Sequence, residues 1–264
     1  MERVDTGIGA DIVRRLRESC ALALASVAVG IVATGTGALA AGGLATAAAA
    51  QEAASARAAL DFHATVISGK VTGSGFLIAD GIAVTNAHVL GSAGPGAEVT
   101  LVHRGGRETR TVRGRILAVS PRMDLAVLAV PSGVMPIVPG VDAPLEPGRA
   151  LRAAGVVAQA NGRGPTLELG GRIASAAMTL PPFGHGLIAL MPGVRRGFSG
   201  GPVLDADGRL VGMVAALRAG PAAGQRATNE SLEGREAFVL TAAAVRAEAA
   251  RLLSEQRIMR ISAR

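Results

Sequence analysis

From His63 onward the apolar residues come in short runs, cut every few positions by Gly, Asp or Pro. His63–Lys70, Gly75–Ile78, Ile82–Thr85, Val99–His103, Val112–Val119 and Leu125–Val130 are such runs. Their length and spacing predict short strands, arranged as an antiparallel barrel or sandwich. A stretch holding Pro131, Pro136, Pro139, Pro144 and Pro147 follows. Proline cannot donate to a ladder, so this stretch predicts a linker over the surface. A second set of runs comes next: Leu151–Val157, Thr166–Ser175, Gly186–Met191, Pro202–Leu204, Leu210–Leu217 and Ala237–Leu240. Between Arg218 and Glu236 lies a polar loop, and Ala242–Arg260 is Ala-rich without Gly or Pro, which predicts a closing helix. The expected organisation is all-β: a first barrel over 51–135, a linker over 136–150, a second barrel over 151–240, and a helix and tail over 241–264.

The first fifty residues follow a different pattern. A polar segment ends in Arg14, Arg15 and Arg17, an apolar stretch runs from Cys20 to about Ala33, and small residues dominate up to Ala50. That order is the order of a signal peptide, with small-x-small sites at Ala45-Thr46-Ala47 and Ala48-Ala49-Ala50. The apolar and small stretch together also exceeds a bilayer span, so membrane anchorage through residues 20–50 is the alternative. Either way the expectation is an exported protein, periplasmic or secreted.

Composition sharpens this picture in three places. The only aromatics are five Phe, so Ala, Val, Leu and Gly must fill the core of this 264-residue chain. The formal net charge of +7 arises wholly after residue 50, from scattered Arg with Lys70 the sole Lys. With no Tyr or Trp for stacking on bases, the expectation is no nucleic-acid partner. Cys20 is the only cysteine, which rules out an intrachain disulfide and a Cys-based zinc site; no cofactor and no metal are expected.

Three segments carry the chemistry. Gly73-Ser74-Gly75-Phe76-Leu77-Ile78 precedes Val84-Thr85-Asn86-Ala87-His88-Val89; Asp124-Leu125-Ala126-Val127-Leu128 follows; Gly197-Phe198-Ser199-Gly200-Gly201-Pro202-Val203 completes the set. A serine hydroxyl is a weak nucleophile and needs a base to take its proton. His88 suits that role, since an imidazole can take up a proton near working pH. Asp124 would fix the imidazole tautomer, and the backbone N–H groups of Gly197 and Ser199 would meet the developing oxyanion. The order His, Asp, Ser along the chain separates this set from subtilisin-like and α/β-hydrolase triads.

These segments resemble the motifs of trypsin-like serine proteases, and most of all the catalytic domain of the bacterial HtrA/Deg group. The likeness runs from about His63 to Leu253. It implies a double β-barrel with His88 and Asp124 on the first barrel and Ser199 on the second. It implies a serine endopeptidase acting on polypeptide substrates, exported or unfolded, through an acyl-enzyme, and an oligomer in some members. It also implies a P1 pocket with Gly193 at its base and Ala215, Ala216 and Leu217 on the strand that pairs with substrate. Leu217 should narrow the mouth, and with Arg195 and Arg196 the only charges nearby the pocket should disfavour Lys and Arg.

Two features depart from the pattern. Phe198 stands where the family usually carries Asn or Asp, so the zymogen switch that pairs an acid with a new N-terminus should be absent. No segment resembling the PDZ module of the group follows the predicted helix. The alternative function is a catalytically weak, protease-like module that binds peptides or acts as a chaperone. The remaining candidates read as structural. His63, His103 and His185 are expected at loops or strand edges, and Asp205, Asp207 and Asp80-Gly81 in turns.

Overall fold

The computed structural model describes residues 58–105, 108–139, 143–159, 164–218 and 235–262. The leader and most of the 218–236 loop lie outside the described residues.

A short helix α1 (Ala58–Asp61) leads into six strands: β1 (Ala64–Ser68), β2 (Val71–Ala79), β3 (Ile82–Thr85), β4 (Glu98–Gly105), β5 (Glu108–Val119) and β6 (Ala126–Ala129). They close into an antiparallel barrel in the order β1-β2-β3-β6-β5-β4, sealed by pairing of β1 with β4. Seven more strands follow: β7 (Ala150–Val156), β8 (Thr166–Ile173), β9 (Met178–Leu180), β10 (Gly184–Leu190), β11 (Pro202–Asp205), β12 (Leu210–Arg218) and β13 (Glu236–Thr241). Six of them form a second ring, β13-β12-β11-β7-β8-β10, closed where β10 pairs with β13; β9 adds to one end of β10. Helix α2 (Ala242–Ser262) ends the described chain. The expected all-β fold of two barrels and a C-terminal helix is therefore the fold observed.

Several central strands are buried along nearly their whole length, which alternation alone does not predict. Two cores divide their side chains. On β3, Ala83 points into the first barrel while Ile82 and Val84 join a cluster between the barrels. On β13, Ala237 and Val239 fill the second barrel while Phe238 and Leu240 join that same intervening cluster. Strand period two thus serves two apolar environments, and both faces need apolar residues. The intervening cluster also takes Val245, Ala249 and Leu252 from α2, one stripe at helical spacing. Thr241 caps this helix, its Oγ1 accepting from the Ala244 N–H at 3.3 Å.

The Pro-rich segment crosses from one barrel to the other. Val138 N–H donates to Leu77 O at 3.0 Å, and Ala143 N–H reaches Leu210 O at 3.4 Å. Helix α2 reaches back to the first barrel as well. Glu248, held below the usual carboxylate range mainly by Arg251, accepts from the Ser120 hydroxyl.

Two of the three histidines set aside as structural are more deeply placed than expected. His63, in the loop before β1, and His103, on β4, are only 2% and 7% exposed. His103 Nδ1 donates to His63 O at 2.9 Å, and His63 Nε2 meets Ser74 Oγ at 2.8 Å. Burial, with the neighbouring His103 and Arg104 charges, pushes His63 down to about 3. His185 lies exposed on β10 beside Thr179. Asp205 does close a turn, accepting from the N–H groups of Asp207 and Arg209. It is also fully buried; burial pushes its carboxyl up, but bonds from Arg149 and Arg209 outweigh this and hold it below its ordinary value.

Candidate active site

His88 sits in a 3-10 turn (Ala87–Leu90) that directly follows β3. Asp124 sits in the tight turn between β5 and β6, where Ser120 N–H donates to Leu125 O and Ser120 Oγ accepts from the N–H groups of Arg122 and Met123. Because β3 pairs with β6, with Thr85 opposite Ala126, the two turns emerge side by side. His88 Nδ1 lies 2.7 Å from Asp124 Oδ2, and the His88 N–H donates to Oδ1 at 3.0 Å. Asn86 Nδ2 donates to the Asp124 carbonyl at 2.7 Å, and the Asp124 N–H donates to Phe183 O at 3.0 Å. An ionised carboxylate only accepts, so Nδ1 carries the proton and the Nε2 lone pair of a neutral His88 is open. His88 is 49% exposed and Asp124 10%, so the imidazole reaches solvent while its partner is mostly covered.

Ser199 belongs to the turn between β10 and β11 on the second barrel. Within it, the N–H groups of Phe198, Gly200 and Gly201 donate to Arg195 O, Val214 O and Phe198 O. The N–H groups of Gly197 and Ser199 have no acceptor among the described residues. These are the two donors expected for an oxyanion. Gly197 has φ +100, and a Cβ there would stand 2.1 Å from Val156 O, so only glycine fits. The Arg196 carbonyl accepts from Ala158 N–H at 3.2 Å, which turns the Gly197 N–H of the same peptide plane the other way. Phe198 is fully buried in the second barrel, packed onto Gly155, where a Cβ would stand 2.4 Å from the ring.

The His and Ser motifs meet at β2. A Cβ on Gly73 would lie 2.5 Å from Val89, the residue after His88, and 3.1 Å from Ser199 O. The Ser74 N–H donates to Ser199 O at 2.8 Å. Among the described residues, the Ser199 hydroxyl makes no hydrogen bond to His88.

The residues predicted for the pocket fall in different settings. Gly193 is half-buried at φ +80, and Arg195 Nε donates to its carbonyl at 2.9 Å. Leu217 is 36% exposed and Ala216 half-buried. Ala215 is the extra residue of a bulge in the β12–β13 ladder and is 1% exposed in the cluster between the barrels. Its side chain therefore faces core rather than an open pocket. Ser74, which bonds to the Ser199 turn, and His63, which bonds to Ser74, carry no functional expectation from the sequence; the Gly-Ser-Gly of the first motif is the available signal. Among the described residues no group of His, Cys, Asp and Glu is arranged to hold a metal ion.

Comparison with known proteins gives this arrangement its family. The profile of the trypsin-like peptidase domain matches residues 73–213, a span that takes in both motif-bearing turns and the Ser199 loop. The chain belongs to the trypsin-like peptidase family. This trypsin-like peptidase is 32% identical over 155 residues to a Synechocystis protein named as serine protease HhoB, covering 56% of this chain and 35% of that protein. It is 33% identical over 148 residues to a Marinomonas protein named as a periplasmic serine endoprotease, DegP-like, covering 53% and 29%. The chain thus spans about a third of the length of these curated relatives. Among solved structures, the Rv3671c protease of M. tuberculosis in its active form superposes with a TM-score of 0.58 at 22% identity, over 86% of this chain and 94% of that one. A serine endoprotease from Yersinia pestis gives 0.59 at 19%, over 77% and 66%. At these identities the structural likeness establishes the fold of the trypsin-like peptidase, while the sequence relatives establish homology to HtrA- and DegP-type serine proteases.

Proposed function

We propose that this chain is a serine endopeptidase that hydrolyses peptide bonds of exported or unfolded proteins through His88, Asp124 and Ser199. The observation that carries the reading is the 2.7 Å His88–Asp124 contact, with a Ser199 turn that meets Gly73, itself against Val89, and has two N–H groups left open. In this scheme Ser199 Oγ attacks the scissile carbonyl as His88 Nε2 takes its proton. Asp124 holds the Nδ1–H tautomer and stabilises the imidazolium. The N–H groups of Gly197 and Ser199 receive the oxyanion. His88 then protonates the leaving amine, and water, activated by the same base, releases the acyl group. Purified protein should degrade casein, and Ser199→Ala should lower turnover on the order of 10⁴-fold. Cleavage at the wild-type rate by the variant would remove the assignment.

The substrate pocket is read as shallow and apolar. Gly193 forms its base, and half-buried Ala216 and exposed Leu217 line its approach. The Arg195 guanidinium on the Gly193 carbonyl adds a fixed positive charge beside it. A Lys or Arg side chain entering there would lose hydration without a counter-ion. A peptide-library profile should favour Ala or Val at P1; dominance of Lys or Arg would overturn this. The periplasmic name of the DegP-like relative and the order of residues 1–50 support export. N-terminal sequencing of the exported protein should read near Ala48–Gln51. An intact Met1 in the membrane fraction would support the anchor instead.

One observation favours the second reading, a peptide-binding module of weak activity: the missing hydrogen bond between Ser199 and His88. In free proteases this contact is often long and tightens when substrate binds. A fluorophosphonate probe separates the two readings, since only an activated Ser199 is labelled.

A further inference from the structure

Ser74 lies on β2 of the first barrel, fully buried, with each polar group engaged. Its N–H donates to Ser199 O at 2.8 Å, and its hydroxyl donates to Gly197 O at 2.6 Å. Its carbonyl accepts from Thr85 Oγ1 at 2.7 Å, three residues before His88. Gly197 and Ser199 are the two residues of the serine turn whose own N–H groups have no acceptor among the described residues. One residue of the first barrel therefore grips the carbonyls of both oxyanion donors on the second.

The hydroxyl has one proton, and the Gly197 carbonyl can only accept it. The other two neighbours of Ser74 Oγ must then be donors. Val156 N–H is one, at 3.2 Å. His63 Nε2, at 2.8 Å, is the other, which assigns the Nε2–H tautomer to His63. With both lone pairs filled, the hydroxyl proton has a single direction, towards Gly197. The peptide plane before Gly197 is held through Arg196 O on Ala158, and the plane after it through Gly197 O on Ser74. Both dihedrals of a residue in a glycine-only conformation are fixed in this way.

We propose that Ser74, oriented by His63, is a positioning unit that aims the oxyanion donors of Gly197 and Ser199; this rests on the serine-endopeptidase reading above. It touches no substrate atom. Its effect is confined to states in which the carbonyl oxygen carries charge, so it should alter kcat and leave ground-state binding nearly untouched.

The test uses the full chain, with active sites titrated and folding checked by thermal melting. Ser74→Ala keeps the backbone clamp on Ser199 and deletes the one on Gly197. It should lower kcat on a peptide amide by about tenfold to a hundredfold, less than deleting an oxyanion donor outright, with KM within about threefold. Affinity for a peptidyl trifluoromethyl ketone, whose adduct carries an oxyanion, should fall by a similar factor. The pH profile of kcat/KM should keep its shape, because the base is untouched. His63→Gln retains a donor and should keep most of kcat; His63→Leu removes it and should follow Ser74→Ala. Ser74→Cys, nearly isosteric and a poor donor, guards against failure of the alanine variant to fold and should show the same loss. A lower melting temperature with kcat and ketone affinity unchanged would overturn the proposal and leave the endopeptidase reading standing. A wild type that neither turns over nor labels would overturn both.

Discussion

The two halves of the candidate site are held by opposite means. His88 and Asp124 are joined side chain to side chain, in turns that reach solvent, by hydrogen bonds that any observer of residue types could anticipate. Ser199 is held almost wholly through its backbone. Its turn is fixed by main-chain bonds to β12 and β2, by the buried Phe198 ring on Gly155, and by the Ser74 hydroxyl. The His88 half therefore depends on charge and tautomer, and the Ser199 half on packing and peptide-plane orientation. Substitutions should separate the two: in the first half they should remove activity and spare the fold, in the second they should damage both.

An expected effect as large as that of Ser199→Ala lies in the first half. Asp124→Asn should lower kcat on the order of 10⁴-fold, since an amide cannot enforce the Nδ1–H tautomer of His88. Melting should shift little, because among the described residues the carboxylate makes no ion pair other than the half-exposed one with His88. A large drop in melting temperature alongside the lost activity would break the comparison.

The next effect belongs to the second half. Phe198→Ala should destabilise by about 3–5 kcal/mol, the usual cost of emptying an aromatic site in a core, and should reduce kcat of the surviving folded protein. Chemical denaturation and activity on the same preparation measure both. Full activity in a folded variant would show that the Ser199 turn stands without its ring.

The smallest effect falls at the seam, where His63 bonds to Ser74. Its folded imidazole is held down to about 3, against an ordinary value of 6.5, first by burial and then by His103 and Arg104. As pH falls through 6.5 the unfolded chain takes up a proton that the folded chain refuses, so stability is lost on the acid side. Between pH 7 and pH 4 this one group should cost about 3 kcal/mol. His63→Gln should flatten that part of the stability profile. Equal slopes for variant and wild type would show that other groups control the acid limb.

The same division decides what could be read from the sequence. The barrels, the Pro-rich crossing and the closing helix are visible because runs, prolines and an Ala-rich stretch are local signals. The three motifs are visible because they place rare residue types next to glycines and apolar strands. Strand β9 is missed: Met178, Thr179 and Leu180 are all exposed, so no alternation marks them. His63 does lie in the loop before β1 and His103 on β4, but their burial is missed because the partners that allow it are Ser74 and a distant backbone carbonyl, 11 and 40 residues away. Asp205 is visible as a turn residue, but its buried pairing with Arg149 spans 56 positions. In each case the missing information is which strand lies beside which.

The tie between Glu248 and Ser120 bears on how the protein is made. The first barrel can close from residues 64–129, early in synthesis, as N-terminal units generally do. The loop that carries Asp124 nevertheless gains its Glu248 partner only when the last helix has been translated. By then all strands of the second barrel, and Ser199 with them, already exist. A growing chain thus carries the Asp124 loop without its Ser120–Glu248 bond until helix α2 has been made.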